Sequence, residues 1–255
     1  MNMVHKAGAG ASPGRIRDVT ESASAPPRRS PRMAKRRAQN WERILDAAEQ
    51  AFVSGQRNVR MEQIAEDSDM SVGALYKYFG SKDGILLALA DRALTRFSTY
   101  LDEAFRPEYS PLEQVIAASD VYLRFYLDHR ESFRFLAFDG NGSDLSVSAH
   151  ELSQQVGDRL DEIIGRFQAH LESAIATGEA SGHYPPKETA LFLWGAWNGV
   201  ISLTLRNDRT ALTDDQLAAT LDVGRRLVNE GLAHPSFRTR TGHSRARVMD
   251  PTENW

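Results

Sequence analysis

The sequence predicts an all-α protein of about nine helices, with an N-terminal three-helix unit built around a helix-turn-helix and a larger helical body after it. Three observations carry this reading. Apolar residues recur along most of the 255-residue chain at spacings of three and four, which places them on one face of a helix. Helix starts are marked by capping boxes: Ser110-Pro111-Leu112-Glu113 and Thr213-Asp214-Asp215-Gln216 each pair a hydroxyl cap with a Glu or Gln three residues on. No segment shows the period-two alternation of a half-buried strand, and nothing repeats at solenoid spacing.

Residues 1–34 are rich in Gly, Ala, Ser, Pro and Arg without apolar periodicity, and are expected to form a disordered basic arm. The helical period starts at about Lys35; Trp41, Ile44, Leu45, Ala48 and Phe52 form one stripe, and Gly55 ends it. Met61, Ile64 and Ala65 seed a second helix, and Val72, Leu75 and Phe79 a third. Ser81 caps a long fourth helix with Asp83 in its first turn, where the helix dipole favours an anion. Its stripe is Ile85, Leu89, Ala93, Phe97 and Leu101. The Ser110 box, with Pro at the first helical position, opens a fifth helix through Val115, Tyr122 and Tyr126. A short helix near Glu131–Phe138 precedes the polar loop Asp139–Asp144. Leu152, Val156, Leu160, Ile163, Phe167, Leu171 and Ile175 mark a long helix ending near Gly178. An apolar helix follows from Lys187 to about Arg206, and a last one through Leu217, Leu221, Leu227 and Val228, stopped by Gly231. The polar, basic residues 234–255 are expected to be a disordered tail. The domains are then 1–34, 35–82, 83–233 and 234–255.

With no cysteine, disulfides, thiolate metal sites and thiol redox sensing are excluded. No apolar run reaches the length of a membrane span, and the N-terminus lacks the apolar core of a secretory signal, so no membrane partner and a cytoplasmic location are expected. The net charge of −3 conceals an asymmetry. Residues 1–40 hold Lys6, Arg15, Arg17, Arg28, Arg29, Arg32, Lys35, Arg36 and Arg37 against only Asp18 and Glu21. Two readings stay open for that arm: a solvated tail, or a contact to a polyanion engaged at one end of the molecule.

The most specific stretch is Met61–Lys82, MEQIAEDSDMSVGALYKYFGSK. Ile64, Ala65, Met70, Val72, Leu75 and Phe79 are expected to point inward and fix two short helices at one angle. Ser71, Gly73, Ala74, Tyr76, Lys77 and Tyr78 are then left on the outer side, a face of small, aromatic and cationic residues without an acid. Small residues admit close approach to base edges, while Tyr hydroxyls and Lys reach phosphates. Lys82 follows at the start of the fourth helix, beside backbone N–H groups that favour an anion. The bland alternative is a helix pair that merely packs.

These residues closely resemble the DNA-binding region of TetR-family transcriptional regulators: Met61-x-x-Ile64-Ala65, then Ser71-x-x-x-Leu75-Tyr76-x-Tyr78-Phe79-x-Ser81-Lys82, after an amphipathic helix. The resemblance is dense over roughly Lys35–Arg92; beyond it only helix number, length and order resemble the family. It implies a homodimer on a palindromic double-stranded operator, with a helical ligand-binding and dimerisation domain behind the DNA-binding unit. By resemblance Tyr76, Tyr78 and Lys82 contact phosphates, while Ser71, Val72, Gly73, Ala74 and Lys77 lie at or near the bases; the spacing of Val72 also suits the core. Three departures stand out. Asp69 occupies a turn position that is commonly Gly, Gln56 replaces an aromatic residue, and Arg60 stands where Ser or Thr usually caps the second helix. Asn58 is the alternative cap, which leaves Arg60 for a phosphate.

No enzyme signature is present: no H-E-x-x-H, G-x-S-x-G, P-loop or dinucleotide fingerprint occurs. No cofactor and no metal are expected. His129, His150 and His170 lack helix metal-site spacing, and Asp139–Asp144 lacks the Gly and Glu of a calcium loop. Aromatic residues crowd the middle helices, and most are core. Because the family binds small effectors between these helices, Phe97, Tyr100, Tyr122, Tyr126, Phe167, Trp194 and Asn198 are candidates for lining a cavity. Gly195-x-x-x-Gly199 smooths the penultimate helix, which with the last helix is expected to form the dimer bundle. The sequence reading is a dimeric repressor released from its operator by an unidentified small molecule. An effector-free architectural or activating DNA-binding dimer is the alternative, and a helical enzyme the remote one.

Overall fold

The computed structural model describes residues 31–53, 59–136 and 147–247. It holds nine α-helices among these residues: α1 (Pro31–Val53), α2 (Met61–Asp67), α3 (Val72–Phe79), α4 (Lys82–Ala104), α5 (Pro111–Asp128), α6 (Arg130–Leu136), α7 (Val147–Ala176), α8 (Pro186–Ser202) and α9 (Asp214–Leu232). No strand occurs among the described residues, only two isolated bridges, Ala180–Ala233 and Arg238–Ser244. The basic arm up to residue 30, the Gln56 and Asn58 positions and the Asp139–Asp144 loop lie outside the described residues.

The chain divides into two compact units, Met1–Ala38 and Gln39–Trp255. The described part of the first is the opening of α1, Pro31–Ala38, which is exposed throughout and carries Arg32, Lys35, Arg36 and Arg37. Its helix begins at Pro31, before the expected Lys35. Proline suits a first turn, where the N–H it lacks has no intrahelical acceptor in any case.

In the second unit the buried side chains form two clusters. One joins Ile44, Leu45 and Ala48 of α1 to Ile64, Leu75 and Phe79 of α2 and α3, and takes in the first half of α4, Ile85 to Ala90. The other begins with Leu94, Phe97 and Leu101 of α4 and includes α5, α7, α8 and α9. Helix α4 is thus a member of both cores. It packs chiefly on α7 and α5, and two ion pairs tie it to α7: Arg159 to Asp91 at 2.8 Å and Arg166 to Asp102 at 2.6 Å.

The expected caps form. Ser81 Oγ accepts from Gly84 N, and both capping boxes close, Ser110 with Glu113 and Thr213 with Gln216. The start of α5 has a second anion. Glu179 accepts from Ser110 Oγ at 2.6 Å and from the Leu112 N–H at 3.0 Å.

The tail departs from expectation. Residues 234–247 are folded, with a 3-10 turn at Pro235–Phe237. The Arg238 guanidinium donates to the carbonyls of Ala233, Gly242 and Glu230. Ala246 is buried, and Arg247 donates through its backbone N–H and Nε to Glu113 Oε1, both at 3.0 Å. Polar composition predicted disorder; hydrogen bonds to backbone carbonyls and to the Glu230 and Glu113 carboxylates order residues 234–247 instead, and residues 248–255 lie outside the described residues.

Candidate nucleic-acid interface and interior cavity

The turn between α2 and α3 explains how the short helix α3 is held. Asp69 has φ 52°, the one non-glycine positive φ among the described residues. Its N–H donates to Glu66 O at 3.1 Å and the Met70 N–H to Ala65 O at 2.8 Å, closing the last turn of α2. Asp thus serves at a left-handed position usually left to Gly, which short polar side chains tolerate best. Ser68, fully buried, donates its hydroxyl to Ile64 O at 2.6 Å. Ser71 then caps α3 by accepting from Ala74 N.

Leu75 and Phe79 are fully buried, and Trp41 of α1 packs on Phe79 with ring centroids 4.2 Å apart. That anchors the inner face of α3. Ser71, Gly73, Tyr76 and Lys77 are exposed, Tyr76 by 49 %. Val72, Ala74, Tyr78 and Lys82 are half-buried. Val72 packs against the core of the unit. Tyr78 Oη accepts from Asn40 Nδ2 at 3.3 Å, and its ring meets Trp41 edge-on. The Lys82 ammonium lies 5.6 Å from the centre of the Phe52 ring. Arg60 is exposed at the N-cap of α2 and makes no side-chain cap bond, although its carbonyl accepts from Gln63 and Ile64. The outer face is therefore unequal. Its middle is open, while Tyr78 and Lys82 are braced against α1.

One contributor was missed from sequence. A Cβ on Gly84 would lie 1.9 Å from the Phe79 carbonyl oxygen. Only glycine lets α4 start this close to the end of α3, so the orientation of α3 is set by backbone contact with α4. Further along α4, Arg92 pairs with Asp46 and Glu49 of α1. Arg96 donates to Glu49 at 2.9 Å and to Ser132 Oγ of α6 at 3.0 Å, and Ser132 donates to Glu49 at 3.1 Å. This triangle joins α1, α4 and α6. Beside it opens a polar cleft of about 370 Å³, lined by Asp46, Glu49, Asp128 and His129 among others. Its acids suit water better than an apolar guest. Burial, with Arg96, holds the His129 imidazole below its ordinary range against the opposing pull of Asp128 and Glu49.

Behind Phe97 lies an apolar cavity of about 30 Å³. Of the seven cavity candidates, Phe97, Tyr122, Phe167 and Trp194 line it. The Phe97 and Tyr122 rings are 4.6 Å apart, and Tyr122 stacks on Trp194 at 5.5 Å. Tyr122 Oη donates to Asn198 Oδ1 at 2.8 Å, so Asn198 stands one bond behind the wall. Burial pushes the Tyr122 phenol well above its ordinary range, the bond to Asn198 opposing it only in part. Tyr100 and Tyr126 turn elsewhere. The Tyr100 hydroxyl donates to Asp128 at 2.8 Å, and burial together with that bond pushes its pKa up to about 12. Tyr126 donates to Thr204 at 3.0 Å. The other eight wall residues, Trp197 and Arg225 among them, were not candidates. Arg225 is 5 % exposed; it donates to Asp120 of α5 at 2.8 Å and pairs with Asp222. No group of His and acidic residues able to hold a metal occurs among the described residues, and no described helix is long and apolar enough to cross a membrane.

Comparison with known proteins places this geometry. Residues 44–89 match the sequence profile of the bacterial regulatory proteins, tetR family. An HTH-type transcriptional regulator of Staphylococcus aureus (strain MRSA252) is 28 % identical over 99 residues, 38 % of this chain and 54 % of that protein. The chain thus spans about half the length of the curated relatives it matches first. The fatty acid metabolism regulator protein of Bacillus subtilis (strain 168) is 20 % identical over 181 residues, 69 % of this chain and 88 % of that protein. Among solved structures, the transcriptional regulator FadR from Bacillus subtilis in complex with stearoyl-CoA shares the fold with a TM-score of 0.60 at 18 % identity, covering 75 % of this chain and 98 % of that one. Profile and fold agree with the helix-turn-helix described above: residues 44–89 match the tetR family of bacterial regulatory proteins, and the helical fold around them is shared with the FadR structure.

Proposed function

We propose that the protein is a homodimeric repressor, released from a palindromic operator when a small molecule occupies the cavity behind Phe97. The observation that carries the DNA half is the outer face of α3: Ser71, Gly73, Tyr76 and Lys77 stand exposed, without an acid, on a helix anchored from behind by Leu75 and Phe79. In this reading Tyr76, Lys77 and Lys82 hold phosphates, Ser71, Gly73 and Ala74 approach bases, and Arg60 adds a phosphate contact at the start of α2. Tyr78 is braced by Asn40 and Trp41, and contributes by fixing α3 as much as by touching DNA.

Dimerisation is supported by the exposed apolar residues of the last two long helices: Leu191 and Phe192 on α8, Val223 and Leu227 on α9, with Phe192 and Leu227 almost 70 % exposed. Gly195 and Gly199 are exposed on α8 with nothing within 4 Å of a Cβ built on either, which leaves room for a second helix to approach closely. Two recognition helices about 34 Å apart would read successive major grooves. The division into a DNA-binding unit, residues 35–82, and a sensing and dimerisation body, residues 83–233, and a cytoplasmic location belong to the same reading.

The effector half rests on α4, which lines the cavity through Phe97 and grips α1 through Arg92 and Arg96. Weakening operator binding a hundredfold requires about 2.7 kcal/mol of differential ligand affinity, within the ordinary range of allosteric coupling. One observation favours a second reading: at about 30 Å³ the cavity has room for little more than a water, as an effector-free DNA-binding dimer would have. Both halves are tested by selecting bound sequences from random duplex DNA. The repressor reading expects a palindrome bound by a dimer, with affinity lost in Tyr76→Ala and Lys77→Ala. Recovery of no enriched sequence overturns it. Enrichment of a palindrome whose binding no metabolite fraction weakens selects the second reading.

A further inference from the structure

The cavity wall specifies what kind of molecule it accepts. Most of it is ring and aliphatic surface, and most of its polar hydrogens are already used. Ser119 donates to Ile116 O at 2.6 Å, and Tyr122 donates to Asn198 at 2.8 Å. The Arg225 guanidinium is engaged by the carboxylates of Asp120 and Asp222. Among the uncharged side chains of the wall, Trp197 is different. It lines the cavity, is 7 % exposed, and its indole N–H is buried without an acceptor among the described residues. An indole nitrogen can only donate, so the group that completes it is an acceptor.

Charge narrows the class further. A lone buried arginine on an apolar wall would call for an anionic ligand. Here two carboxylates already flank it, and Asp120 is itself buried at 6 % exposure. A carboxylate entering beside Asp120 would meet a like charge in a poorly screened setting, where repulsion is strong. Arg226, 70 % exposed at its side chain, balances Asp222 from the solvent side and adds no charge to the interior.

We propose that the cavity takes a neutral, largely apolar molecule with one carbonyl oxygen (a ketone, lactone or ester) that accepts the Trp197 indole N–H. This deepens the effector reading and rests on it. Entry displaces half-buried side chains of the lining such as Phe167, Trp194 and Val228, because a cavity of about 30 Å³ is smaller than any such molecule. The specificity differs in kind from recognition of a charged headgroup: it asks for an acceptor and rejects an anion.

The test uses the full chain labelled with 15N-tryptophan, whose four tryptophans give four indole signals; Trp197→Phe identifies the one in question. Three probes of nearly equal size are titrated: acetophenone (neutral acceptor), ethylbenzene (no acceptor) and benzoate (anion). The expected result is a downfield shift of the Trp197 indole proton with acetophenone alone. Acetophenone should also bind up to about tenfold more tightly than ethylbenzene, and more tightly than benzoate. In Trp197→Phe the advantage of acetophenone over ethylbenzene disappears. Equal shifts with ethylbenzene, benzoate binding as tightly as acetophenone, or no binding by any probe overturns the assignment. The wild-type shifts decide this even where the variant folds poorly. Operator binding measured on the same samples reports separately on the regulatory reading. An indole shift with DNA affinity unchanged leaves the ligand class standing and removes release by ligand.

Discussion

The ion pair between Asp120 of α5 and Arg225 of α9 is the sharpest point at which to perturb the body. Its side chains are 8 % and 6 % exposed, and it joins positions 105 residues apart at 2.8 Å. Removing one partner of a buried pair costs about 3–5 kcal/mol, because the other charge stays buried. In Asp120→Leu the Arg225 guanidinium keeps Asp222, whose side chain is 34 % exposed, so the loss belongs at the lower end, about 3 kcal/mol. For a domain of this size that is a fall of about 6–12 °C in Tm. The double variant Asp120→Leu, Arg225→Met removes both charges and keeps the apolar volume. It should lie within about 1 kcal/mol of the parent or exceed it. Calorimetry at one fixed protomer concentration measures the four members of the cycle. If the two single losses simply add in the double variant, the pair is uncoupled and the reasoning fails.

Phe192→Glu combined with Leu227→Glu, two changes on the exposed apolar face of α8 and α9, should halve the solution mass by ultracentrifugation and abolish operator binding while leaving helix content unchanged. Lys77→Ala should lower the slope of log K against log salt by about one, and deletion of residues 1–34 should flatten it further; an unchanged slope in the deletion would show that the basic arm makes no phosphate contact. Truncation after Ala233 should lower Tm at neutral pH and cost less in acid. The reason is Glu113. Burial pushes its carboxyl up, but the bonds from Arg247 and the Ser110 N–H more than offset this and hold its pKa below the ordinary 4.5. A depressed folded pKa contributes stability that is present above the unfolded value and is lost as pH falls through the folded one. Parallel melting curves for truncated and full chains from pH 7 to pH 3 would contradict this.

What the sequence disclosed and what it hid divide by range. Both capping boxes were legible because a cap is a contract between residues three apart, and Leu75 and Phe79 because a stripe records burial on its own helix. Arg225 and Arg226 mark the limit. They are identical neighbours in the chain, yet one side chain is 6 % exposed against Asp120 and the other 70 % exposed. Only the rotation of α9 against α5 distinguishes them. Tyr126 likewise reaches Thr204 while Tyr122 enters the cavity wall, though both lie on one predicted stripe. The folded tail was invisible for a related reason. Its order depends on Glu113, 134 residues away from Arg247, and nothing in a polar segment announces a distant partner. Gly84 was passed over because a glycine near a helix start looks permissive, whereas here it is required by the Phe79 carbonyl.

Arg96 and Phe97 are consecutive, so about a hundred degrees of helix separates the grip on Glu49 from the wall of the cavity. A substitution that reshapes the cavity by rolling α4 also changes the angle at which α1 is held. On the proposed reading, in a lineage that acquires a new chemical signal the permitted separation of the two operator half-sites would then drift with it. Sensor and address would be inherited as one trait, and exchanging bodies between relatives by cutting within α4 should yield proteins that sense correctly and bind the wrong spacing.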